Sequence, residues 1–215
     1  DTVSIDITPV NDDPTLDAIS DINISEDAGE QTVNLTGIAA GGGEVQQLQV
    51  TATSNNTGLI PDPTVTYATA DPTGTLAFTP AEHEFGTATI TVTVEDGGLD
   101  NNLATPGDNA TTTQFFDVTV NPVNDDPTLD AISDINMNED AGEQTVNLTG
   151  ITAGGGETQR LRVTAVSDNT GLIPDPTVTF DGQSSTGTLK FTPVADQFGT
   201  ATITVTVEDG GLDND

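Results

Sequence analysis

The residues best equipped for chemistry in this chain are carboxylates and side-chain amides that recur in fixed groups. Asn11-Asp12-Asp13-Pro14 returns as Asn124-Asp125-Asp126-Pro127, Glu26-Asp27 as Glu139-Asp140, and Glu95-Asp96 with Asp100 as Glu208-Asp209 with Asp213. Such groups offer only hard oxygen donors. Calcium takes roughly 6 to 8 of these, whereas magnesium keeps its own waters in a tighter octahedron. Carboxylates gathered in one place repel one another unless a cation neutralises them. Each group also has a plainer reading. Asn-Asp-Asp-Pro and Asp-Gly are turn formers, and Asp96, Asp100 and Asn102 could serve either a turn or a site within one domain.

Other chemistry fits poorly. The chain has no Cys, which removes disulfides and thiolate metal sites, and its single His83 has no Ser or Cys nucleophile motif beside it and is replaced by Asp196 in the second copy. Gly41-Gly42-Gly43, repeated as Gly154-Gly155-Gly156, is followed by no Lys-Ser/Thr and reads as a flexible loop, not a phosphate cradle. Paired acids for glycoside hydrolysis would want sugar-stacking aromatics, but there is one Tyr and no Trp. The chain is expected not to be an enzyme.

The elements that must position these groups come in two copies. The offset is 113 residues (124 − 11), and it holds without insertion for Glu26 and Glu139, Phe78 and Phe191, and Asp100 and Asp213. Within a copy, Thr alternates with Val and Ile over Thr32–Leu35, Leu48–Ala52, Thr64–Tyr67, Thr75–Phe78, Thr89–Val94 and Phe115–Val120. That period of two, with Gly, Pro, Asn and Asp at the breaks, describes half-buried antiparallel strands. Adding a first strand over Leu16–Ile24 gives about seven strands in about a hundred residues, the size of an immunoglobulin-like Greek-key β-sandwich. The expected class is therefore all-β, two tandem sandwiches.

Residues 1–9 align with the last strand of a copy. The expected boundaries are thus that strand from a preceding repeat, a junction at 10–13, repeat 1 at 14–122, a junction at 123–126, and repeat 2 at 127–215 without its last strand. The start at Asp1, with neither an initiator Met nor a leader, reads as a piece of something longer. The Asp1–Pro9 strand is then expected to complete a neighbouring repeat, through a continuous giant chain in the favoured form or by donation between chains.

Charge narrows the partners. The chain carries 35 acidic against 3 basic side chains and a formal net charge of −32. Nucleic acid and anionic membranes need Lys and Arg to displace counterions, so neither is an expected partner, and no apolar run is long enough for a helical span. Cations are. In a sandwich of alternating strands, Glu26 and Asp27 share a pole with the linker Asn124-Asp125-Asp126, and Glu208, Asp209 and Asp213 stand at the facing pole of the next repeat. Arg160 and Arg162 share one strand face and can pair with neighbouring acids.

Val123-Asn124-Asp125-Asp126-Pro127, Glu26-Asp27, Phe78-Thr79-Pro80 and Thr91-Val92-Thr93-Val94-Glu95-Asp96-Gly97-Gly98 together resemble bacterial cadherin-like repeats of giant surface proteins, relatives of VCBS and RTX-adhesin extender modules. The resemblance covers nearly the whole chain. It implies calcium held between domains, with Asn124, Asp125, Asp126, Glu26 and Asp209 as ligands, and an extracellular structural repeat of a surface protein, adhesin stalk or fibre assembled head to tail with neighbouring copies. The family's acidic loop motif is absent: Ala81-Glu82-His83-Glu84 and Val194-Ala195-Asp196-Gln197 stand there. The alternatives are a module whose loops bind a glycan or protein target, and a halophile-type acidic surface without specific ion sites.

Overall fold

The Thr/Val alternation folds as its period requires. A computed structural model of the chain describes residues 2–212 and divides into two units, residues 1–122 and 123–215. The first holds β1 (Ile22–Ser25), β2 (Gln31–Thr36), β3 (Leu48–Ser54), β4 (Thr64–Thr66), β5 (Thr73–Phe78), β6 (Gly86–Asp96) and β7 (Thr111–Asn121). They form two sheets, ordered β1-β7-β6-β3 and β2-β5-β4. Every pairing is antiparallel except that of β1 with β7, which is parallel. The inward rows of both sheets meet in one core that includes Leu35, Ile60, Leu76, Ile90, Val92, Phe116 and Val118. This is an all-β, immunoglobulin-like sandwich.

The first strand departs from expectation. Thr15 bridges Ala39 at the edge of one sheet, and only from Ile22 does the chain run beside β7 in the other. Between them the chain crosses from one layer to the other, holding on through the Asp17 N–H to the Thr36 carbonyl, 3.0 Å.

The second unit holds β8 (Gln144–Leu148), β9 (Leu161–Ser167), β10 (Thr177–Thr179), β11 (Gly187–Phe191) and β12 (Ile203–Asp209), in sheets ordered β10-β11-β8 and β12-β9. These match β2 to β6 at the same offset. Among the described residues nothing pairs with the outer edge of β12, and Ile135–Asn138, the counterpart of β1, is not a strand. The consequence reads directly in burial. Ala88, Ile90, Val92 and Val94 are fully buried, while Ala201, Ile203, Val205 and Val207 are only partly so. Ile132 and Ile135 are 40 % and 46 % exposed, whereas Ile19 and Ile22 pack on the core of their own repeat. Identical side chains in identical register differ because β7 covers one set and not the other.

That contrast predicts unequal costs for one substitution. Ile90→Ala empties a filled core and should cost about 2–5 kcal/mol, whereas Ile203→Ala should cost less than half of that. Urea unfolding of the full chain, followed by NMR signals from each repeat, checks the pair.

Candidate functional site

Along β6, inward and outward positions alternate, and the inward row Ala88, Ile90, Val92, Val94 ends on Asp96. Strand periodicity thus carries a carboxylate to the rim of the core, where it is fully buried. Its Oδ1 accepts three hydrogen bonds, from the N–H of Gly98 at 2.9 Å, the N–H of Ala110 at 2.9 Å and the Asn11 side-chain amide at 3.1 Å. Its Oδ2 is buried and accepts none.

Asn11 joins this carboxylate to the loops around it. The same amide donates to the Asp108 carbonyl at 3.0 Å, and Asn11 Oδ1 accepts from Gln46 Nε2 at 2.7 Å. Gln46 Nε2 also donates to Glu44 Oε2 at 2.9 Å, which in turn accepts from the Asp12 N–H at 3.3 Å. On the far side Asn109 donates to Glu95 Oε1, 2.9 Å. With their amide nitrogens committed to acceptors, Gln46 and Asn109 turn their oxygens elsewhere, and both Oε1 and Oδ1 are buried without a hydrogen-bond partner. Three buried oxygens with no donor cost free energy unless something positive meets them. Their chemistry, one carboxylate and two amide oxygens, is that of ligands to a hard cation.

The glycine run proves to be a fitted seat for the linker. Gly41 and Gly42 have positive φ, and a Cβ on them would collide with the Asp13 carbonyl and the Asp12 carboxylate. Gly154 meets Asp126 and Asp125 in the same way. The expected flexible loop is in fact closely packed on the backbone it receives.

The second unit repeats the arrangement. Asn124 donates to Asp209 Oδ1 at 3.3 Å and accepts from Gln159 at 2.7 Å, the Gly211 N–H reaches Asp209 Oδ1 at 2.8 Å, and the Asp125 N–H reaches Glu157 Oε2 at 3.3 Å. Gln159 Oε1 is again buried without a hydrogen bond. The Asn of each linker is therefore bonded to the repeat that follows it. Its amide finds there a carboxylate, and in the first repeat a carbonyl as well.

The remaining expected residues have the following surroundings. Glu26 is buried, with its N–H on the Asn121 carbonyl at 2.8 Å, whereas Glu139 is exposed. Asp27 and Asp140 adopt positive φ and accept the N–H groups of His83 and Asp196, 2.9 Å each, so they anchor turns. Asp100 binds the Asn102 N–H at 3.0 Å and the Thr105 hydroxyl, building its own loop. Asp13 and Asp126 are exposed. Glu208 lies 3.5 Å from Arg162, its cross-strand neighbour, and Asp213 is outside the described residues. Sequence reasoning missed Glu44, Gln46, Asp108 and Asn109. A signal existed for the first two: Glu44-x-Gln46 returns as Glu157-x-Gln159, while Val45 and Gln47 between and beside them become Thr158 and Arg160.

No family model and no curated protein matches the chain. Among solved structures it is similar to the S-layer protein rSbsC(31-844), 22% identical with a TM-score of 0.32 over 81% of this chain and 21% of that one. It is similar also to domains 4-9 of surface layer protein SbsC, 14% identical, TM-score 0.34, over 97% and 32%. A third likeness is to the CsuC-CsuE chaperone-tip adhesion subunit complex of Acinetobacter baumannii, 11% identical, TM-score 0.39, over 91% and 99%. The chain spans about a fifth to a third of the two S-layer chains. Likeness at this level assigns neither function nor partner.

The Asn11 network makes a direct prediction. Asn11→Ala strips one partner from Asp96 Oδ1 and from Gln46, and should destabilise repeat 1 by about 1–3 kcal/mol while leaving repeat 2 unmoved. The urea midpoint of each repeat, read by NMR, checks it.

Proposed function

We propose that the chain is a calcium-stiffened structural repeat of an extracellular surface protein, adhesin stalk or fibre, without catalytic activity. The observation that carries this reading is the fully buried Asp96 carboxylate, whose Oδ2 accepts no hydrogen bond, together with the likewise unpartnered amide oxygens of Gln46 and Asn109. Repeat 1 contains no Lys or Arg, and His83 precedes β6 while Asp96 ends it, a strand of eleven residues away. Arg162 and Lys190 of repeat 2 lie against Glu208 and Glu143.

In the first repeat the ion would be held by Asp96, Gln46 and Asn109, with Glu44 and Glu95, the acceptors of the Gln46 and Asn109 amides, as further carboxylates. In the second, Asp209, Gln159 and Glu157 are the counterparts. A bound calcium supplies the positive charge that these oxygens lack. Asn11 and Asn124, already hydrogen-bonded into the cluster, then fix the path of each linker into its repeat, and Pro14 and Pro127 restrict the same backbone. The tandem copies, the absence of Cys and the resemblance of the Asn-Asp-Asp-Pro and Thr-Val-Glu-Asp-Gly-Gly motifs to cadherin-like repeats support a stiffened extracellular spacer.

Calorimetric melting in chelator, in millimolar calcium, and in magnesium or sodium at matched ionic strength tests the reading. A ligand of the native state at about 100 times its Kd adds about 2.7 kcal/mol, so repeat 1 should melt on the order of 10 °C higher in calcium alone. Asp96→Asn should lose the calcium-specific part of that rise. Equal rises in all salts would overturn the proposal and leave a halophile-type acidic surface.

A further inference from the structure

Strand β3 is an edge of its sheet: in the order β1-β7-β6-β3 it has β6 on one side and, among the described residues, no strand on the other. Its backbone groups alternate between the two sides. Asn55 donates to the Thr89 carbonyl at 3.1 Å and the Gln47 carbonyl accepts from Gly97 at 2.9 Å, so the odd-numbered residues point their N–H and C=O groups at β6. By the period of two, Leu48, Val50, Ala52 and Ser54 turn theirs to the open edge. The strand Leu48-Gln49-Val50-Thr51-Ala52-Thr53-Ser54 holds no charged side chain and no Pro, a composition that pairs readily with another strand. Both ends of its open edge are nevertheless closed. The Ser54 N–H donates to Asp62 Oδ1 at 2.8 Å and the Leu48 N–H to Thr69 Oγ1 at 3.0 Å, while β4 between them pairs with β5 in the other sheet and adds no ladder to β3.

The second repeat closes β9 at the same two positions. The Ser167 N–H donates to Asp175 Oδ1 at 2.8 Å, and the Leu161 N–H to the Gly182 carbonyl at 3.0 Å. Tyr67 to Asp71 and Phe180 to Ser184 differ at every position, yet the Gly182 carbonyl takes the place of the Thr69 hydroxyl on the same N–H. We propose that Asp62 and Thr69 guard the edge of β3, as Asp175 and Gly182 guard that of β9, and that the pairing they hold off is that of β3 with β3 of a second copy. A two-fold pairing is self-complementary and needs no partner but the chain itself. Unguarded, the two strands would run antiparallel about Thr51, with Leu48 opposite Ser54 and Val50 opposite Ala52 of the second copy, and Gln49, Thr51 and Thr53 bring no charge to oppose it. With Leu48 and Ser54 tied to their guards, only the stretch from Val50 to Ala52 is left to pair. That is too short to offset the cost of joining two chains.

Two measurements on the full chain, both in chelator and so independent of any cation site, test this. Amide exchange of the unaltered chain should find Leu48 and Ser54 protected and Val50 and Ala52 fast, and equal protection of all four would overturn the proposal, because the edge would then be covered. The second uses the lack of Cys: across a non-hydrogen-bonded antiparallel pair the Cα atoms are about 4.5 Å apart, within reach of a disulfide, so the exposed Thr51→Cys reports the pairing. Under mild oxidation, Asp62→Ala with Thr69→Ala should raise the covalent dimer by about tenfold or more over the guarded chain. Asp62→Asn with Thr69→Ser keeps both acceptors and should stay at the guarded level. Thr53→Cys lies opposite Gln49 in this register and should not cross-link with itself. Equal dimer in guarded and unguarded chains, no dimer in either, or as much cross-linking through Thr53→Cys, the mark of loosened chains associating at random, would each overturn the proposal.

Discussion

Strand β7 is the constraint on which both the sandwich and its acidic pole depend. It lies between β6 and β1, antiparallel to one and parallel to the other, and drives Phe116, Val118 and Val120 into the core. Just before it, the Ala110 N–H closes on Asp96 Oδ1 and the Asp108 carbonyl on Asn11. Removing that strand from an otherwise matching domain is the comparison that the second unit supplies. Its Ile203, Val205 and Val207 lose cover, the counterpart of β1 ceases to be a strand, and Asp209 is less buried than Asp96.

The acidic pole follows from the same periodicity that makes the core. An inward row of Ala, Ile and Val can be extended by one more inward position, and here that position is Asp96. A buried carboxylate is tolerable only with donors around it or a cation beside it. Three donors satisfy one oxygen, while the other oxygen and two amide oxygens of the pole accept no hydrogen bond. The linker is built into this arrangement through Asn11 and the close approach of Gly41 and Gly42 to Asp12 and Asp13.

The fold was largely legible because strands announce themselves in a sequence of alternating Thr, Val and Ile. The positions of β2 to β7 agree with that pattern to within a few residues. The crossing of the first strand from sheet to sheet was not legible, since Leu16, Ile19 and Ile22 keep an apolar rhythm while the backbone changes partners at Asp17. Nor was the failure of Ile135–Asn138 to form a strand, because parallel pairing depends on a neighbour distant in the chain and not on local propensity. At the pole, Asp96 and Asn11 stood out by type and recurrence. Gln46 and Asn109 did not, as neutral amides carry no charge signal and their role comes from which of their two ends is satisfied.

Amide hydrogen exchange of the chain in chelator tests the dependence on β7 most directly, because β6 carries that strand along one edge whereas β12 pairs only with β9 among the described residues. The amides of β6 that point away from β3 should exchange only through unfolding of the whole repeat, while their counterparts on β12, pointing away from β9, should exchange far faster. Equal protection at matched positions in the two strands would contradict the account, since it would mean that β12 needs no closing strand.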